Sequence, residues 1–298
     1  MKIILTGSLG HIGLPLTKEL VQKGHDITVI SSNPEKENEI ESLGAIAAIG
    51  SLEDVSFLTE VFTGADAVYC MVPPNNYFDQ DLDLMAFYRN LANNYAVAIK
   101  AAGIKRVIYL SSIGAHLSER SGIILGHHAG EAIMNTLSDV SITFIRPTSF
   151  YYNLFGYLQT IKNFGFIAAN YGADDLIPWV SPIDIAAAIV EELELPTMGK
   201  KIRYVASEEL SGSETAKVLG AVIGKPDLEW KIISDQEALD SLIAIGMNKS
   251  IAAGLVEMYA CLHSGVFSED YFANRPKVMG QIKLIDFAQE FAIVYHQN

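Results

Sequence analysis

Residues 7–13 read Gly7-Ser8-Leu9-Gly10-His11-Ile12-Gly13, between an apolar run over 2–6 (K-I-I-L-T) and a stretch of helical periodicity over 11–23. That placement constrains the fold more than any other feature of the chain. A glycine at 7 permits a tight turn out of a strand. A glycine at 10 lets the backbone approach a ligand with no Cβ in the way, and one at 13 lets the next helix pack close to the strand. The free N–H groups and the positive end of that helix then face whatever sits above the turn, which suits a pyrophosphate. A three-glycine string gains meaning from its strand–turn–helix context, and here it implies a β-α-β unit that binds a dinucleotide.

The rest of the first half keeps the same rhythm. Strands are predicted over 26–31, 45–49, 66–72, 106–111 and 140–146, and helices over 34–43, 53–62, 80–102 and 124–138. Continuous Val/Ile-rich strands separated by helices point to a parallel sheet covered on both faces, a Rossmann-type doubly wound α/β fold. After Arg146-Pro147 the pattern changes. Residues 151–180 are aromatic-rich and irregular; helices follow over 182–194, 212–223, 235–245 and 248–262, with strands near 202–206 and 229–233. The expectation is a dinucleotide-binding domain over 1–150 and a smaller α+β substrate lobe over 151–298. The helices near 182–194 and 284–295 are expected to pack back on the first domain.

Half of the 298 residues are hydrophobic, enough for a sizeable core. The 21 basic and 35 acidic side chains leave a formal charge of −14, which repels nucleic-acid backbones but does not oppose a dinucleotide held by local amides. No apolar run approaches the roughly 18 residues of a membrane helix. No targeting signal is read at the start, and a cytoplasmic protein is expected. Cys70 and Cys261 read as reduced thiols used as small hydrophobes. No cysteine–histidine spacing suggests a metal.

The end of the second strand bears on which dinucleotide is bound. It reads Ser31-Ser32-Asn33-Pro34-Glu35-Lys36, with no carboxylate at the strand end to meet a ribose 2′-hydroxyl or repel a 2′-phosphate. NADP(H) is therefore favoured over NAD(H). The alternative is a polar turn whose Ser32 or Asn33 caps the next helix.

Five segments occur in a familiar order: G-S-L-G-H-I-G, M-V-P-P (71–74), V-I-Y-L-S-S (107–112), R-P-T-S-F-Y-Y-N (146–153) and V-S-P-I-D-I-A (180–186). Together they resemble the NmrA-like family of atypical short-chain dehydrogenase/reductases, over nearly the whole chain, and most of all its bacterial NADPH quinone reductase type. The resemblance implies a cleft between a Rossmann lobe and a small C-terminal lobe. It implies that Gly7 to Gly13 form the phosphate loop and that Met71, Val72 and Pro73 flank the cofactor's ribose and nicotinamide side. It also implies that Ser111 and Ser112 lie under the nicotinamide and that Phe150, Tyr151 and Asn153 line the cleft. Ser32 stands where NADPH-using relatives often carry arginine.

The Tyr-x-x-x-Lys pair of typical short-chain dehydrogenases is missing from the equivalent stretch, which reads Gly126-His127-His128-Ala129-Gly130-Glu131. His127 and Glu131 are four apart and share a helix face. A carboxylate one turn away would favour the protonated imidazole, which would make His127 a proton donor; the bland alternative is a solvated pair. Missing Tyr-Lys counts against sugar epimerase chemistry and less against quinone reduction, where charge delocalises. The leading expectation is an NAD(P)H-dependent oxidoreductase acting on a small flat acceptor such as a quinone, with His127, Glu131, Ser112 and Tyr151 at the chemistry. The rival is a non-catalytic NAD(P)-binding sensor acting through a protein partner. Whether the chain forms a homodimer is left open.

Overall fold

The computed structural model describes residues 1–196 and 198–297. Its first strand shows why a buried parallel sheet forms. Side chains alternate across a strand, and β1 (Lys2–Leu5) sends Ile3 and Leu5 to one apolar layer and Ile4 to the other, all three fully buried. The chain then runs α1 (Gly13–Gln22), β2 (Asp26–Ser31), α2 (Glu37–Ser42), β3 (Ile46–Ile49), α3 (Val55–Phe62) and β4 (Ala67–Cys70). It continues through α4 (Leu84–Ala102), β5 (Arg106–Leu110), α5 (Leu125–Met134) and β6 (Ser141–Pro147). Helix starts follow capping chemistry. Asp54 accepts from the Ser56 and Phe57 amides at α3, and Asp83 from the Ala86 amide at α4.

The remaining elements are β7 (Ser149–Phe150), α6 (Leu158–Phe164), β8 (Phe166–Ala169), β9 (Leu176–Val180), α7 (Pro182–Glu194), β10 (Lys200–Val205), β11 (Glu208–Ser211) and α8 (Gly212–Val222). After them come β12 (Glu229–Ile232), α9 (Asp235–Ala244), α10 (Lys249–His263), α11 (Glu269–Ala273) and α12 (Leu284–Gln297). Among the described residues the main sheet has seven strands in the order β10-β6-β5-β4-β1-β2-β3, every neighbouring pair parallel. The chain winds outward in one direction from β1 and in the other from β4. The switch point between these two strands is where an open α/β sheet offers a crevice at its carboxyl edge.

The smaller lobe holds a mixed sheet, β11-β9-β7, and a parallel pair, β12-β8. Its core gathers Tyr151, Trp179, Trp230, Phe267, Phe287 and Phe291. The stretch expected to be irregular, 151–180, supplies β8, β9 and α6. Two expectations about the second half are corrected. Of the two strands assigned to the small lobe, the one near 202–206 is β10, and it lies beside β6 at the edge of the main sheet. The closing helix α12 does not return to the first lobe: Leu284, Phe287, Ala288 and Phe291 join the second core, where α12 packs on α8. By contrast α7 does pack back, alongside α1. Its Ile185, Ile189 and Leu193 lie in the same apolar layer as Ile3 and Leu5. The segment before α12 is tied to α7 through Asp184, whose carboxylate accepts from the Gln281 and Ile282 amides and from Ser207 Oγ at 2.9, 3.1 and 2.6 Å. No single helix among the described residues is long and apolar enough to cross a membrane.

Candidate cofactor and acceptor site

The glycine loop leaves β1 at the switch point. Gly7 has φ +90° and Ser8 φ +57°, a pair of left-handed residues that turns the chain sharply into α1. A Cβ on Gly7 would lie 2.4 Å from Met71 Sδ, and one on Gly13 would lie 2.0 Å from the Ser8 carbonyl oxygen. Both glycines are therefore required by the fold itself. Gly10 differs. A Cβ there would find only the Gly7 carbonyl oxygen, at 3.7 Å, so the protein leaves open the space that a side chain would fill. Helix α1 has no side-chain cap and no acid in its first turn; although Leu14 donates to the Gly10 carbonyl at 3.0 Å and Pro15 has no N–H, the positive end of the helix faces that same space. An open cradle under an uncapped helix fits the pyrophosphate of a dinucleotide.

The loop is tied to β2: the Ser8 amide donates to the Ile30 carbonyl at 3.0 Å, and Ser8 Oγ donates to Ser31 Oγ at 3.0 Å. Of the three polar residues expected to read the ribose, two serve the chain. Ser31 is buried and accepts from the Asn33 amide at 3.2 Å; the Asn33 side chain accepts from the Glu35 amide at 2.9 Å. Lys36 is held by Glu39 at 2.7 Å. Ser32 alone is exposed with no side-chain hydrogen bond among the described residues. Just after β4, Met71 packs over Gly7; its amide donates to Thr6 Oγ1 at 3.0 Å and its carbonyl accepts from Tyr95 Oη at 2.7 Å. Val72 and Pro73 follow it, both half-buried, with Val72 packed against the apolar layer of Ile4.

At the end of β5, Ser111 and Ser112 part company. Ser111 is buried and its hydroxyl donates to Glu131 Oε1 at 2.5 Å. Ser112 is half-buried, with its hydroxyl unengaged among the described residues. Glu131 does not face His127. It is 6% exposed and forms a two-pronged ion pair with Arg146, from Nε to Oε1 at 2.8 Å and Nη2 to Oε2 at 2.7 Å. Arg146, 3% exposed on β6, also donates to Tyr204 at 3.1 Å and to Asp270 at 3.0 Å. The expected support of His127 by Glu131 is therefore corrected, because the carboxylate is spent on a buried guanidinium. His127 lies edge-on to Tyr88, with ring centroids 5.0 Å apart, and its Nδ1 is buried without a partner. Burial pushes its pKa down to about 4, so the ring is neutral near pH 7 and is no imidazolium acid. Arg146, which claims the carboxylate, was not singled out from the sequence. The only signal was a lone cation at the end of an apolar strand.

Tyr151 is also corrected. It is 1% exposed, stacked between Trp179 and Phe287 in the second core, and its hydroxyl donates to Glu208 at 2.7 Å. The residue that faces the loop is Tyr152, whose ring is stacked on His11 at 4.5 Å and on Phe150 at 5.0 Å. Asn153 is exposed beside it. The structure thus brings together the glycine loop, Met71, Phe150 and Tyr152, and it withdraws Glu131 and Tyr151 into packed interiors.

Comparison with known proteins finds relatives and solved structures of the same fold. The chain is 27% identical over 285 residues to the NAD(P)H azoreductase of Xenophilus azovorans, covering 94% of this chain and 93% of the relative. An NADPH-dependent quinone oxidoreductase of Escherichia coli, solved with NADPH, superposes with a TM-score of 0.80 at 19% identity, over 97% of this chain and 99% of that one. The triphenylmethane reductase of Citrobacter sp., solved with NADP(H), gives 0.78 at 20% identity, over the same shares of the two chains. These are the kinds of protein that the NmrA-like motifs led us to expect. A family model described as NAD(P)H-binding matches residues 7–196. That span runs from the glycine loop past α7 and covers most of the chain, and it makes this protein a member of the NAD(P)H-binding family.

Proposed function

We propose that this protein is an NAD(P)H-dependent oxidoreductase that prefers NADPH and reduces a small, flat, conjugated acceptor such as a quinone. The observation that carries this reading is the open cradle at Gly10, beneath the uncapped start of α1, bordered by the aromatic column His11–Tyr152–Phe150. Its relatives of known name reduce azo compounds, quinones and triphenylmethane dyes, and conjugated acceptors suit such a site.

When bound, the nicotinamide supplies a hydride. The chain's own groups do the rest. The loop amides and the α1 terminus hold the pyrophosphate. Ser32 is free to donate to a ribose 2′-phosphate, and no carboxylate stands at the end of β2 to repel it. Met71 sets the floor beside Gly7. A quinone gains the hydride and one proton and becomes a hydroquinone, with NADPH converted to NADP⁺. The negative charge that develops on the quinone is delocalised over its ring, so neutral hydrogen-bond donors are enough to stabilise it, and the proton comes from water. A neutral His127 is compatible with that chemistry, whereas reactions that need a strong acid would not be served.

The test is anaerobic NADPH oxidation with a panel of quinones and azo compounds, alongside cofactor affinities for wild type and Ser32→Asp. Expected are turnover with at least one quinone, tighter binding of NADPH than NADH, and loss or reversal of that preference in Ser32→Asp. Tight NADPH binding with no acceptor reduced would overturn the catalytic reading in favour of a sensor. Equal affinities for the two cofactors would overturn the NADPH preference alone.

A further inference from the structure

Three tyrosines from distant parts of the chain meet in the cleft. Tyr77 lies in the loop after β4, Tyr88 on the first turns of α4, and Tyr152 in the turn after β7. Each is half-buried. They are near enough that Tyr77 and Tyr152 both oppose ionisation of Tyr88, and Tyr77 that of Tyr152. Their rings are fixed by packing. Tyr152 is flanked by His11 and Phe150. Tyr88 meets the edge of His127 and presses on Gly126, where a Cβ would lie 2.7 Å from its ring. The loop of Tyr77 is anchored to the small lobe by the Asn248 amide, which donates to the Tyr77 carbonyl at 2.9 Å.

The hydroxyls of these three half-buried residues have no hydrogen-bond partner among the described residues and are not among the side-chain atoms sealed from solvent, so they are open to a ligand. Other phenols are spent on the chain or sealed in its core: Tyr95 donates to the Met71 carbonyl, Tyr151 to Glu208 and Tyr271 to Glu209, while Tyr69 and Tyr109 are buried without a partner and out of reach of a ligand. Three unspent donors gathered beside the cofactor loop constitute a recognition surface for something that brings lone pairs. Burial keeps all three phenols protonated throughout the physiological range, so they stay donors. The ring faces of Tyr152 are already stacked, which leaves its hydroxyl edge as the part on offer.

The geometry points to Tyr77, Tyr88 and Tyr152 as the acceptor-binding residues, their hydroxyls donating hydrogen bonds to the carbonyl oxygens of a flat, uncharged conjugated acceptor. This rests on the reductase reading above and specifies its acceptor site. It also assigns a role to Tyr152 that the sequence pattern gave to its neighbour Tyr151.

The experiment is titration of 1,4-naphthoquinone into NADP⁺-loaded protein, where no hydride is available, for wild type, Tyr77→Phe, Tyr88→Phe, Tyr152→Phe and the triple variant. Thermal unfolding confirms that each variant is folded, and steady-state quinone reduction is measured in parallel. Each lost hydroxyl is expected to weaken naphthoquinone binding by about 3- to 10-fold, raising KM more than it lowers kcat and leaving NADP⁺ affinity within about twofold. If wild type reduces quinones and the triple variant binds naphthoquinone as tightly as wild type, the tyrosine site is wrong and the reductase reading stands. If wild type neither binds nor reduces any quinone, both fail.

Discussion

Gly10 is the residue at which the demands of the fold and of the ligand separate. Gly7 and Gly13 are glycines because Met71 and the Ser8 carbonyl fill the space around them, whereas Gly10 has room for a side chain in the protein itself. Gly10→Val should therefore leave the unfolding midpoint nearly unchanged while abolishing dinucleotide binding, as measured by calorimetry with NADPH. Full affinity in a folded Gly10→Val protein would move the pyrophosphate elsewhere. His127 gives a second prediction at this scale. Its folded pKa is near 4 against 6.5 for the free side chain, because burial disfavours the charged ring. Below about pH 6.5 the unfolded chain takes up a proton that the native state refuses, so native stability falls as the pH drops toward 4. Comparing urea unfolding at pH 7 and pH 4.5, wild type should lose ~2 kcal/mol more than His127→Gln. Equal losses would mean that the imidazole titrates freely in the folded protein.

At the scale of elements, the buried unit Ser111–Glu131–Arg146 joins the end of β5, helix α5 and strand β6, with Asp270 of α11 closing it from the small lobe. Removing one partner of a buried ion pair strands the other, at a cost of about 3–5 kcal/mol. Glu131→Gln should fall near the lower end, because Arg146 keeps Tyr204 and Asp270. The expected readout is an earlier urea midpoint with NADPH affinity unchanged. A variant as stable as wild type but without turnover would instead place the carboxylate at the chemistry. This unit also shows where sequence pattern stops being informative. Spacing correctly puts His127 and Glu131 on one helix face. It says nothing of Arg146, fifteen positions on and one strand away, which claims the carboxylate. The glycine loop was legible because all its determinants are local. The resemblance put Tyr151 in the cleft and gave Tyr152 no role, and the structure differs because residues 151–157 form a 3₁₀ turn. In such a turn positions i and i+3 share a face, which sends Tyr151 and Leu154 into the core and leaves Tyr152 facing the loop.

For the molecule as a whole, alternating strands and helices made the doubly wound sheet legible, since each strand buries both faces within its own neighbourhood. The pattern anticipated the return of α7 to the first lobe but not that of the strand after it. Helix α7 and strand β10 return to the main sheet from beyond the first elements of the small lobe. Periodicity identifies a strand but not its partner, so β10 was read into the lobe that surrounds it in sequence. The closing helix was misplaced for the same reason: its apolar face fits either core, and the contacts that decide, with α8 and with Phe155, lie far away along the chain.

The detour between β6 and β10 imposes an order on the molecule's birth. As the polypeptide emerges from a ribosome, β6 is the outermost strand on its side of the sheet, and its outer edge bears unpaired backbone groups until Lys200–Val205 emerge to cover it. At roughly 5–20 residues per second, making the stretch from Pro147 to Lys200 takes several seconds. Throughout that interval the nascent chain carries the glycine loop complete but the sheet incomplete. The same connection that places an acceptor lobe beside the cofactor crevice leaves the growing chain with an open strand edge, and the newborn protein depends on its own later residues, or on a chaperone, to keep that edge from pairing with a neighbour.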